Sequence, residues 1–437
     1  MDRYFSKGEA SIFVQIDPDS AYELLTCASA GNIVIPEGDV TVVRVPDPVF
    51  PGRWRRVALV QAEGDAPTVT ITRPLSKIRD VLSQCPFSIR LNFACSGERT
   101  VTNYDSAIVL HGARVTSRTF NEPAPLTPSA ETITVDLEIS AAFAMMWDRL
   151  VRQSRTGITS TTPVVGVFAL PAECAGRCSA GRDTMSVLYA VNGTENLHHS
   201  DDGGLNWNSV SVATDAELKA VTATEDRVIV GGSLDTDGII AYSDDLVTWT
   251  VVSLPGAPVN AIARDDAGRY YAATGSGIYL STNRGTTWSR VAITANPLND
   301  IVSDGSTVYA VGNVGTFAYG RGTEWSVLAS GISGNFATCD VNEGGRVVCI
   351  TSTGGVYRYY NGVFSDAGSV GGAVNKMRFA LGTIGIAVGT ATYITEDGGV
   401  SWRRFDSVAA NSVFSSVSGY QPRWMIGGAN GSISIIL

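Results

Sequence analysis

The sequence predicts a mainly β protein with two domains. Residues 1–160 are expected to form a β-sandwich or barrel with a few short helices, and residues 161–437 a β-propeller. Three observations carry this prediction. Apolar strand patterns repeat about every forty residues, the span of one four-stranded propeller blade, and an aromatic residue recurs at the same place in most copies. Apolar residues also alternate with Ser, Thr and Asp in a chain with 46 glycines, which favours strands and tight turns over helices.

The repeat is clearest in one strand of each unit. A turn and another strand follow each copy, and the next strand opens with an aromatic residue. A further apolar strand precedes most copies, as in VNAIARD from Val259, LNDIVSD from Leu298 and VNKMRFA from Val374. Four strands per unit follow from this order. The copies are SVLYAVNG, RVIVGGS, RYYAATG, TVYAVGN, RVVCITS, IGIAVGT and RWMIGGA, which begin at Ser186, Arg227, Arg269, Thr307, Arg346, Ile384 and Arg423.

The number of copies predicts a seven-bladed propeller, with six blades as the alternative. The segment PVVGVFALP from Pro163 is expected to supply the innermost strand of the first blade. The last blade stops at Leu437 after its third strand, so its outermost strand must come from elsewhere. We expect a segment ahead of Pro163, such as GITST from Gly157, to fill that edge and close the ring.

The turn before the fourth strand carries the pattern Ser/Thr-x-Asp-x-Gly-x-x-Trp. An Asp side chain accepts backbone N–H bonds in a tight turn, Gly adopts a conformation closed to other residues, and Trp packs between blades. Two copies match in full, one has Asn for Asp, one is a residue short, and two are degenerate. We expect a structural role for these residues, which are Ser200, Asp202, Gly204, Trp207, Ser243, Asp245, Trp249, Ser281, Asn283, Gly285, Trp288, Thr395, Asp397, Gly399 and Trp402.

This recurring turn resembles the Asp-box, or BNR repeat, of sialidase-like and sortilin-like propellers. The resemblance extends from about Val164 to Leu437, and the motif recurs in register with the strand repeat. In those propellers the boxes lie on the outer rim, away from the central axis. The resemblance therefore implies turns that stabilise blades and take no part in catalysis.

The first half contains no copy of the repeat. DPDSAYELLTCA from Asp17 and LSKIRDVLSQC from Leu75 predict short helices, and residues Ala141 to Val151 predict a third. Runs of period two predict strands at Ala10 to Ile16, Asp39 to Val45, Arg56 to Gln61, Thr68 to Thr72, Ser88 to Ala94 and Thr132 to Ile139.

With its long extended loop VRVPDPVFPGRWRR, this half resembles the tail-tube and related ring-forming proteins of tailed bacteriophages. Those proteins assemble through sheet edges and long loops into hollow stacked rings. The resemblance implies a virion structural protein, a tail tube or tail-associated subunit, that is assembled in the host cytoplasm. Its expected partners are further copies of itself, bound through the N-terminal domain, and other virion proteins. The propeller would face outward, where it either decorates the particle or binds a host-surface glycan.

Charge and terminal sequence limit the other partners. The net charge is −10. There are 16 basic and 18 acidic residues before Val164, and 16 basic and 24 acidic residues from Val164 onward. No cluster of Lys and Arg marks a phosphate-binding surface, so sequence-specific nucleic acid binding is not expected. The start MDRYFSKGEASIF lacks a leader pattern, and no stretch is apolar enough to span a bilayer, so we expect no membrane partner.

No cofactor or metal is expected. The seven cysteines form an odd, scattered set typical of a protein folded in the cytosol, although Cys174 and Cys178 are close enough for a local disulfide. A zinc site would need four closely spaced ligands, and the only histidines near this pair are His198 and His199. The lone His111 lies beside an apolar strand, where a structural role is expected.

Two alternative functions use the propeller differently. A sialidase-like protein would bind or cleave glycans with charged residues at the axis, for which the candidates are Arg264, Asp265, Asp300, Asp340 and Arg378. Such an enzyme would need three arginines at the axis, where the innermost strands supply two, and an Arg-Ile-Pro opening motif, which is absent, so we expect no enzyme. An assembly factor similar to the Asp-box propellers that chaperone photosynthetic complexes is the other alternative.

Cross-strand packing is expected of the aromatics Tyr359, Tyr360 and Tyr420.

Overall fold

Two compact units make up the chain. The computed structural model describes residues 3–5, 11–15, 23–24, 29–35, 40–46, 54–61, 68–74, 87–93, 106–121, 134–141, 143–148, 152–154, 157–171, 185–224, 226–342, 345–380, 383–418 and 421–436. The first unit comprises Met1–Arg44, Arg56–Val151 and Gly419–Gln421, and the second Val45–Arg55, Arg152–Ser418 and Pro422–Leu437. Residues 152–154 thus belong to the second unit, ahead of the boundary between residues 160 and 161 that the sequence predicts.

The first unit is built on a nine-stranded antiparallel sheet. Its strand order is β1-β4-β7-β10-β9-β8-β2-β3, and β11 also pairs with β9, while β5 and β6 form a separate pair. All six alternating runs predicted as strands are strands. The bounds are β1 Arg3–Phe5, β2 Ser11–Gln15, β3 Glu23–Leu24, β4 Ser29–Ile35, β5 Val40–Pro46, β6 Trp54–Gln61, β7 Thr68–Pro74, β8 Phe87–Phe93, β9 Ser106–Asn121, β10 Thr134–Ser140 and β11 Phe143–Asp148.

One face of this sheet supplies a core. In β10 the buried side chains are Val135, Leu137 and Ile139, alternating with more accessible residues. Its neighbour β7 buries Val69 and Ile71 in the same way. Successive residues of a strand point to opposite faces, so this period of two places all five on one side. The alternation seen in the sequence is therefore the consequence of one buried face.

The helix predicted over Ala141 to Val151 is wrong. Residues Phe143–Asp148 form β11, which pairs antiparallel with β9 from Phe143↔His111 to Asp148↔Ser106. Good helix formers in this run are overridden by pairing with a neighbouring strand, as tertiary context commonly does. In the segment from Asp17, Glu23–Leu24 is a short strand, and its other predicted helical residues lie outside the described residues, as do Leu75 to Cys85. Among described residues no helix is long and apolar enough to cross a membrane.

The second unit consists of seven four-stranded antiparallel sheets. Each of the first six is one continuous stretch of four consecutive strands, as the repeat predicts. We number them by chain order: sheet 1, β13 Gly166–Pro171, β14 Met185–Val191, β15 Asn196–Ser200, β16 Asn208–Ser211; sheet 2, β17 Glu217–Thr224, β18 Arg227–Leu234, β19 Asp237–Ser243, β20 Thr250–Leu254; sheet 3, β21 Val259–Arg264, β22 Tyr270–Thr274, β23 Gly277–Ser281, β24 Ser289–Ile293; sheet 4, β25 Leu298–Ser303, β26 Val308–Gly312, β27 Thr316–Arg321, β28 Glu324–Ala329; sheet 5, β29 Phe336–Val341, β30 Val347–Thr351, β31 Gly355–Tyr360, β32 Val363–Ser369; sheet 6, β33 Val374–Phe379, β34 Gly385–Gly389, β35 Thr392–Thr395, β36 Arg403–Asp406.

Sheet 7 joins the two ends of this unit. Its strands in order are β37 Ser412–Ser418, β38 Gln421–Gly427, β39 Ile433–Ile436 and β12 Arg152–Ser154. A single 3₁₀ turn, Ala429–Gly431, separates β38 from β39. The outermost strand is therefore Arg152–Ser154, paired with β39 from Arg152↔Ile436 to Ser154↔Ser434, so a segment ahead of Pro163 does fill this edge, but it is not GITST as expected. Residues 157–161 have no strand pairing because they cross from this outer edge toward β13.

The innermost strands hold neighbouring sheets together. Each of β13, β17, β21, β25, β29 and β33 contacts the first strand of the next sheet, and β37 contacts β13. The pairing of β17, β21, β25, β29 and β33 with their partners shifts register at the second or third residue. Such bulges turn a side chain away from its own sheet.

Asparagine occupies this shifted position in three sheets and reaches the next sheet. The Nδ2 atom of Asn260 donates to the Leu298 carbonyl at 2.8 Å, and that of Asn299 to the Phe336 carbonyl at 2.7 Å. In sheet 6, Asn375 Nδ2 donates to the Ala410 carbonyl at 3.1 Å. These hydrogen bonds form an asparagine latch between the innermost regions of consecutive sheets.

Substitution of Asn299 by Ala is expected to lower the free energy of unfolding by about 1–3 kcal/mol, because the Phe336 carbonyl loses its donor. Urea unfolding followed by tryptophan fluorescence measures the change. Ala337 occupies the corresponding shifted position in sheet 5, so Ala337→Ser is the matched control and is expected to stay within about 0.5 kcal/mol of the wild type. Equal effects of the two substitutions would contradict the latch.

Candidate functional site

Charged side chains from the innermost strands meet where the sequence places its candidate axial site. Asp300 of β25, Asp340 of β29 and Arg378 of β33 lie together in one cluster. Two residues that the sequence does not single out complete it: Thr338 of β29 and Lys376 of β33. We call these five residues the charged cluster, which joins sheets 4, 5 and 6.

Asp300 is the centre of the charged cluster and is fully buried. Arg378 approaches its carboxylate with both guanidinium nitrogens, Nη1 to Oδ2 at 2.9 Å and Nη2 to Oδ1 at 3.0 Å. Lys376 Nζ lies 3.0 Å from Oδ1, and the Thr338 hydroxyl donates to Oδ2 at 2.7 Å. The backbone N–H of Ile301 also donates to Oδ1, at 3.0 Å. A buried carboxylate with this many donors is fully satisfied.

The cations decide the ionisation of Asp300. Burial alone raises the pKa of this carboxyl, but the charges of Arg378 and then Lys376 outweigh burial and hold the pKa well below its ordinary value. The pKa of Arg378 is raised in turn, since the Asp300 carboxylate outweighs the effect of burial on the guanidinium. Both groups are therefore charged at neutral pH, and Asp300 has no proton to donate as a general acid.

Asp340 differs from Asp300 in its surroundings. Burial raises the pKa of Asp340, although Arg378 and two backbone N–H groups act in the opposite direction. Those groups belong to Phe379 and Val341, which donate to its two oxygens at 2.7 and 2.8 Å. Its carboxylate is thus used to fix the backbone of β33 against β29.

The other two candidate axial residues take no part in the charged cluster. Asp265 is buried in sheet 3, where it accepts hydrogen bonds from Arg269 and from the Tyr271 hydroxyl at 2.9 Å. Arg264 is exposed and its guanidinium lies 5.8 Å from the centre of the Tyr270 ring. Within the described residues, no three His, Cys, Asp or Glu side chains are grouped to hold a metal. The arrangement suits cross-linking of strands better than acid–base chemistry.

Asp300→Asn is expected to lower the free energy of unfolding at pH 7 by about 3–5 kcal/mol, because Lys376 and Arg378, which are mostly but not fully buried, lose their carboxylate partner. The depressed pKa of Asp300 adds stability above the unfolded pKa near 4, and this is lost as pH falls through the lower folded pKa. The difference from wild type should therefore shrink on acidification. Urea unfolding at several pH values measures it, with exposed Asp201→Asn as control. A loss under 1 kcal/mol at pH 7 would refute a stabilising role for the pair.

The turns with the Ser/Thr-x-Asp-x-Gly-x-x-Trp pattern are held by their own side chains. In sheet 1, Ser200 Oγ accepts the Gly204 N–H at 2.9 Å, and Asp202 Oδ1 accepts the N–H groups of Leu205 and Asn206 at 3.0 and 2.9 Å. Burial tends to raise the pKa of Asp202, but hydrogen bonds from Asn206 and Ser200 outweigh it and lower the pKa to about 2. The carboxylate is thus bound into the turn.

The same bonds recur where the pattern is incomplete. Asn283 replaces Asp in sheet 3 and still accepts the Thr287 N–H through Oδ1 at 2.9 Å. The short turn of sheet 2 has no glycine, and Leu246 takes a φ of 61° in its place. Asp245 accepts the Thr248 N–H at 2.7 Å there. The geometry of the turn therefore depends on the acceptor side chain more than on the glycine.

The aromatic residues after these turns pack between sheets. Each lies against the apolar cluster formed by its own sheet and the preceding one, with sheet 7 preceding sheet 1, and these residues are Trp207, Trp249, Trp288, Trp325, Phe364 and Trp402. Tyr359 is buried with its ring centre 5.0 Å from that of Phe364, its partner on the next strand, as cross-strand packing predicts, and Tyr360 lies 4.4 Å beneath the Arg346 guanidinium. Tyr420, Cys174 and Cys178 lie outside the described residues.

Burial of the turn should decide how much its Asp contributes. In sheet 6, Asp397 is 5% exposed and accepts the N–H groups of Val400 and Ser401 at 3.1 and 2.9 Å. We expect Asp397→Ala to cost about 1–3 kcal/mol of unfolding free energy. Asp202→Ala is the matched comparison in a more exposed turn and is expected to cost about 1 kcal/mol or less. Both are measured by urea unfolding, and a larger loss for Asp202→Ala would contradict this account.

A different surface stands out in the first unit. Among described residues, β9 pairs with β8 and β11 through residues 106–113, whereas residues 114–121 pair with β10 alone. Side chains from Thr116 to Asn121 are all exposed, including Phe120 at 59%. Ser117 and Asn121 bind the Glu138 and Asp136 carboxylates of β10 at 2.7 and 2.6 Å, so this segment is held as a strand. We call residues 114–121 the β9 edge.

Comparison with known proteins gives the fold of the second unit. No protein-family model matches the chain, and no curated protein matches it. Among solved structures, similar ones are the WD40 repeats of RRP9 (TM-score 0.52, 9% identity, 65% of this chain and 96% of that one) and U3-55K (0.51, 10%, 65% and 98%). A third is YCF48 bound to a D1 peptide (0.50, 13%, 66% and 97%).

The chain contains a β-propeller. The seven four-stranded sheets are the part of the chain with this architecture, so the propeller predicted from the repeat is confirmed. At such low identities the similarity concerns the fold alone. In the propeller, the charged groups of the cluster pair with one another. The first unit carries the β9 edge.

Proposed function

We propose that this protein is a structural subunit that assembles through its N-terminal unit and presents a seven-bladed propeller, one blade per sheet, as a binding or decorating module. The specific form of the proposal is a tail tube or tail-associated subunit of a tailed bacteriophage virion. Its turns are of the Asp-box kind, which is supported by their side-chain hydrogen bonds. The partners are further copies of the chain and other virion proteins.

The observation that carries the proposal is the β9 edge. A strand with one side unpaired among described residues offers a row of backbone N–H and C=O groups to another chain. Natural proteins usually protect long exposed edges, so an exposed apolar residue such as Phe120 favours a surface that another copy covers. Addition of a strand from a second copy would give both main-chain hydrogen bonds and a place for this ring.

A non-enzymatic role agrees with the charged cluster. Its carboxylates are occupied by Arg378, Lys376 and backbone N–H groups, which leaves them unsuited to glycoside cleavage. A sialidase-like activity is therefore the less favoured alternative. Protein partners at the propeller are a second candidate, supported by the similar YCF48 structure, which is described as bound to a D1 peptide.

Assembly is tested with purified full-length protein by size-exclusion chromatography and negative-stain electron microscopy. The wild type is expected to form rings or tubes with peripheral knobs. Phe120→Lys places a charge at the β9 edge and should raise the concentration needed for assembly by at least about tenfold, since edge lysines oppose strand pairing. Val247→Lys, at a residue 80% exposed in a propeller turn, is the control and should assemble like wild type. A wild type that stays monomeric at all concentrations would sink the proposal.

A further inference from the structure

A polar groove lies where the propeller unit closes. The crossing segment, residues 157–162, connects the outermost strand of sheet 7 to the innermost strand of sheet 1, and the groove lies between it and sheet 1. Its volume is about 720 Å³, inside the range of about 300–1,000 Å³ that small-molecule sites occupy. We call it the closure groove.

One wall of the closure groove is fixed by backbone hydrogen bonds to sheet 7. Ile158 donates its N–H to the Gly431 carbonyl at 2.9 Å, and the Gly431 N–H donates to the Thr162 carbonyl at 3.1 Å. Gly431 has a φ of 71°, and a Cβ there would meet the Ile158 carbonyl oxygen at 2.2 Å. Only glycine permits this close approach, so the crossing segment is held in one position.

The side chains along this wall are linked to sheet 1. Asn192 Nδ2 donates to Ser160 Oγ at 2.7 Å, and the Thr194 hydroxyl donates to Asn192 Oδ1 at 2.7 Å. The Ser160 and Thr162 hydroxyls lie 2.8 Å apart. Asn192 is only 4% exposed, so this chain of hydrogen bonds is fixed before any ligand arrives. A pre-ordered set of donors and acceptors lowers the entropy cost of binding.

His198 and Trp207 line the closure groove on the side of sheet 1. Trp207 is half-buried and rests on the apolar cluster between sheets 7 and 1. His198 is 7% exposed, and no group in the described part of the chain pairs with its Nε2. Burial, and then the neighbouring His199, lowers the pKa of His198, which keeps the ring neutral. Because Nε2 is itself covered, it could hydrogen-bond to a ligand hydroxyl only after the ring moves.

The chemistry of the lining selects a ligand class. Among the described residues that line the groove there is no Lys, Arg, Asp or Glu, so a phosphate or carboxylate group would lose its water there without gaining a cation from them. The lining is rich in hydroxyls and amides, which both donate and accept hydrogen bonds. Those the hydrogen-bonded wall and the test use are Ser160, Thr161, Thr162, Asn192, Thr194 and Asn208.

We propose that the closure groove is a binding site for a neutral oligosaccharide. Sugars without charge offer many hydroxyls to the amides and hydroxyls of this wall, and an apolar ring face to an indole such as that of Trp207. The proposal rests on the proposed function in one respect, the role of the propeller as the binding module of the subunit. The binding site itself lies at the junction of sheets 7 and 1, away from the charged cluster of sheets 4 to 6.

The test uses full-length protein on a printed array of neutral and sialylated oligosaccharides. We expect a signal from neutral members, and the strongest of these is then titrated by calorimetry. Thr161→Arg and Asn208→Arg place long side chains at exposed positions of the groove and should weaken binding at least about tenfold. Ser289→Arg is the matched control, because Ser289 directly follows Trp288 as Asn208 follows Trp207, and it should bind like wild type.

Assembly and sugar binding are separable in this design. The groove variants should form the same particles as wild type by electron microscopy, whereas Phe120→Lys should need at least about a tenfold higher concentration to assemble and should still bind the oligosaccharide. Binding only to sialylated members, no binding to any neutral member, or undiminished binding by both groove variants would overturn the site. A wild-type protein that forms no particles but binds the oligosaccharide would instead count against the proposed assembly alone.

Discussion

The three-residue strand β12 is the contact on which the closed propeller depends. It pairs with β39, so the chain that leaves the outermost strand of sheet 7 must enter the innermost strand of sheet 1 within residues 155–165. Closure thereby joins the two ends of a unit whose other sheets are each continuous in sequence. An unpaired β39 would leave an exposed edge, which is both a loss of hydrogen bonds and a site for aggregation.

Within the closed ring, polar groups near the axis act between sheets. Asn260, Asn299 and Asn375 each donate to a carbonyl of the next sheet, and Asp300 joins three sheets through Thr338, Lys376 and Arg378. Apolar residues carry the packing farther out, where the recurring aromatic of sheets 1 to 6 lies between neighbouring sheets. Buried polar contacts require defined geometry, so they fix how neighbouring sheets meet, whereas apolar packing supplies most of the burial.

The sequence was informative where structure is local. Repeated strands, the Asp-containing turns and the aromatic positions follow from short patterns, and each is present. Asp300, Asp340 and Arg378 could be named because they lie on or after the innermost strands, but Lys376 and Thr338 could not, since their role depends on the twist between sheets. The strand at Phe143–Asp148 was missed because its pairing partner, β9, is distant in sequence and outweighs local helix propensity.

The closure groove also could not be predicted from local sequence patterns. Its walls come from a crossing segment with no strand pattern and from sheet 1, and no motif connects Ser160 to Asn192, 32 residues away. The other neighbouring sheets are joined by short turns, whereas here a segment must travel from the outer edge of sheet 7 to the inner edge of sheet 1. The polar recess between this crossing segment and sheet 1 is the groove. The crossing that closure requires therefore leaves a recess, and because its described lining residues include no charged side chain, that recess is suited to sugars rather than to phosphates.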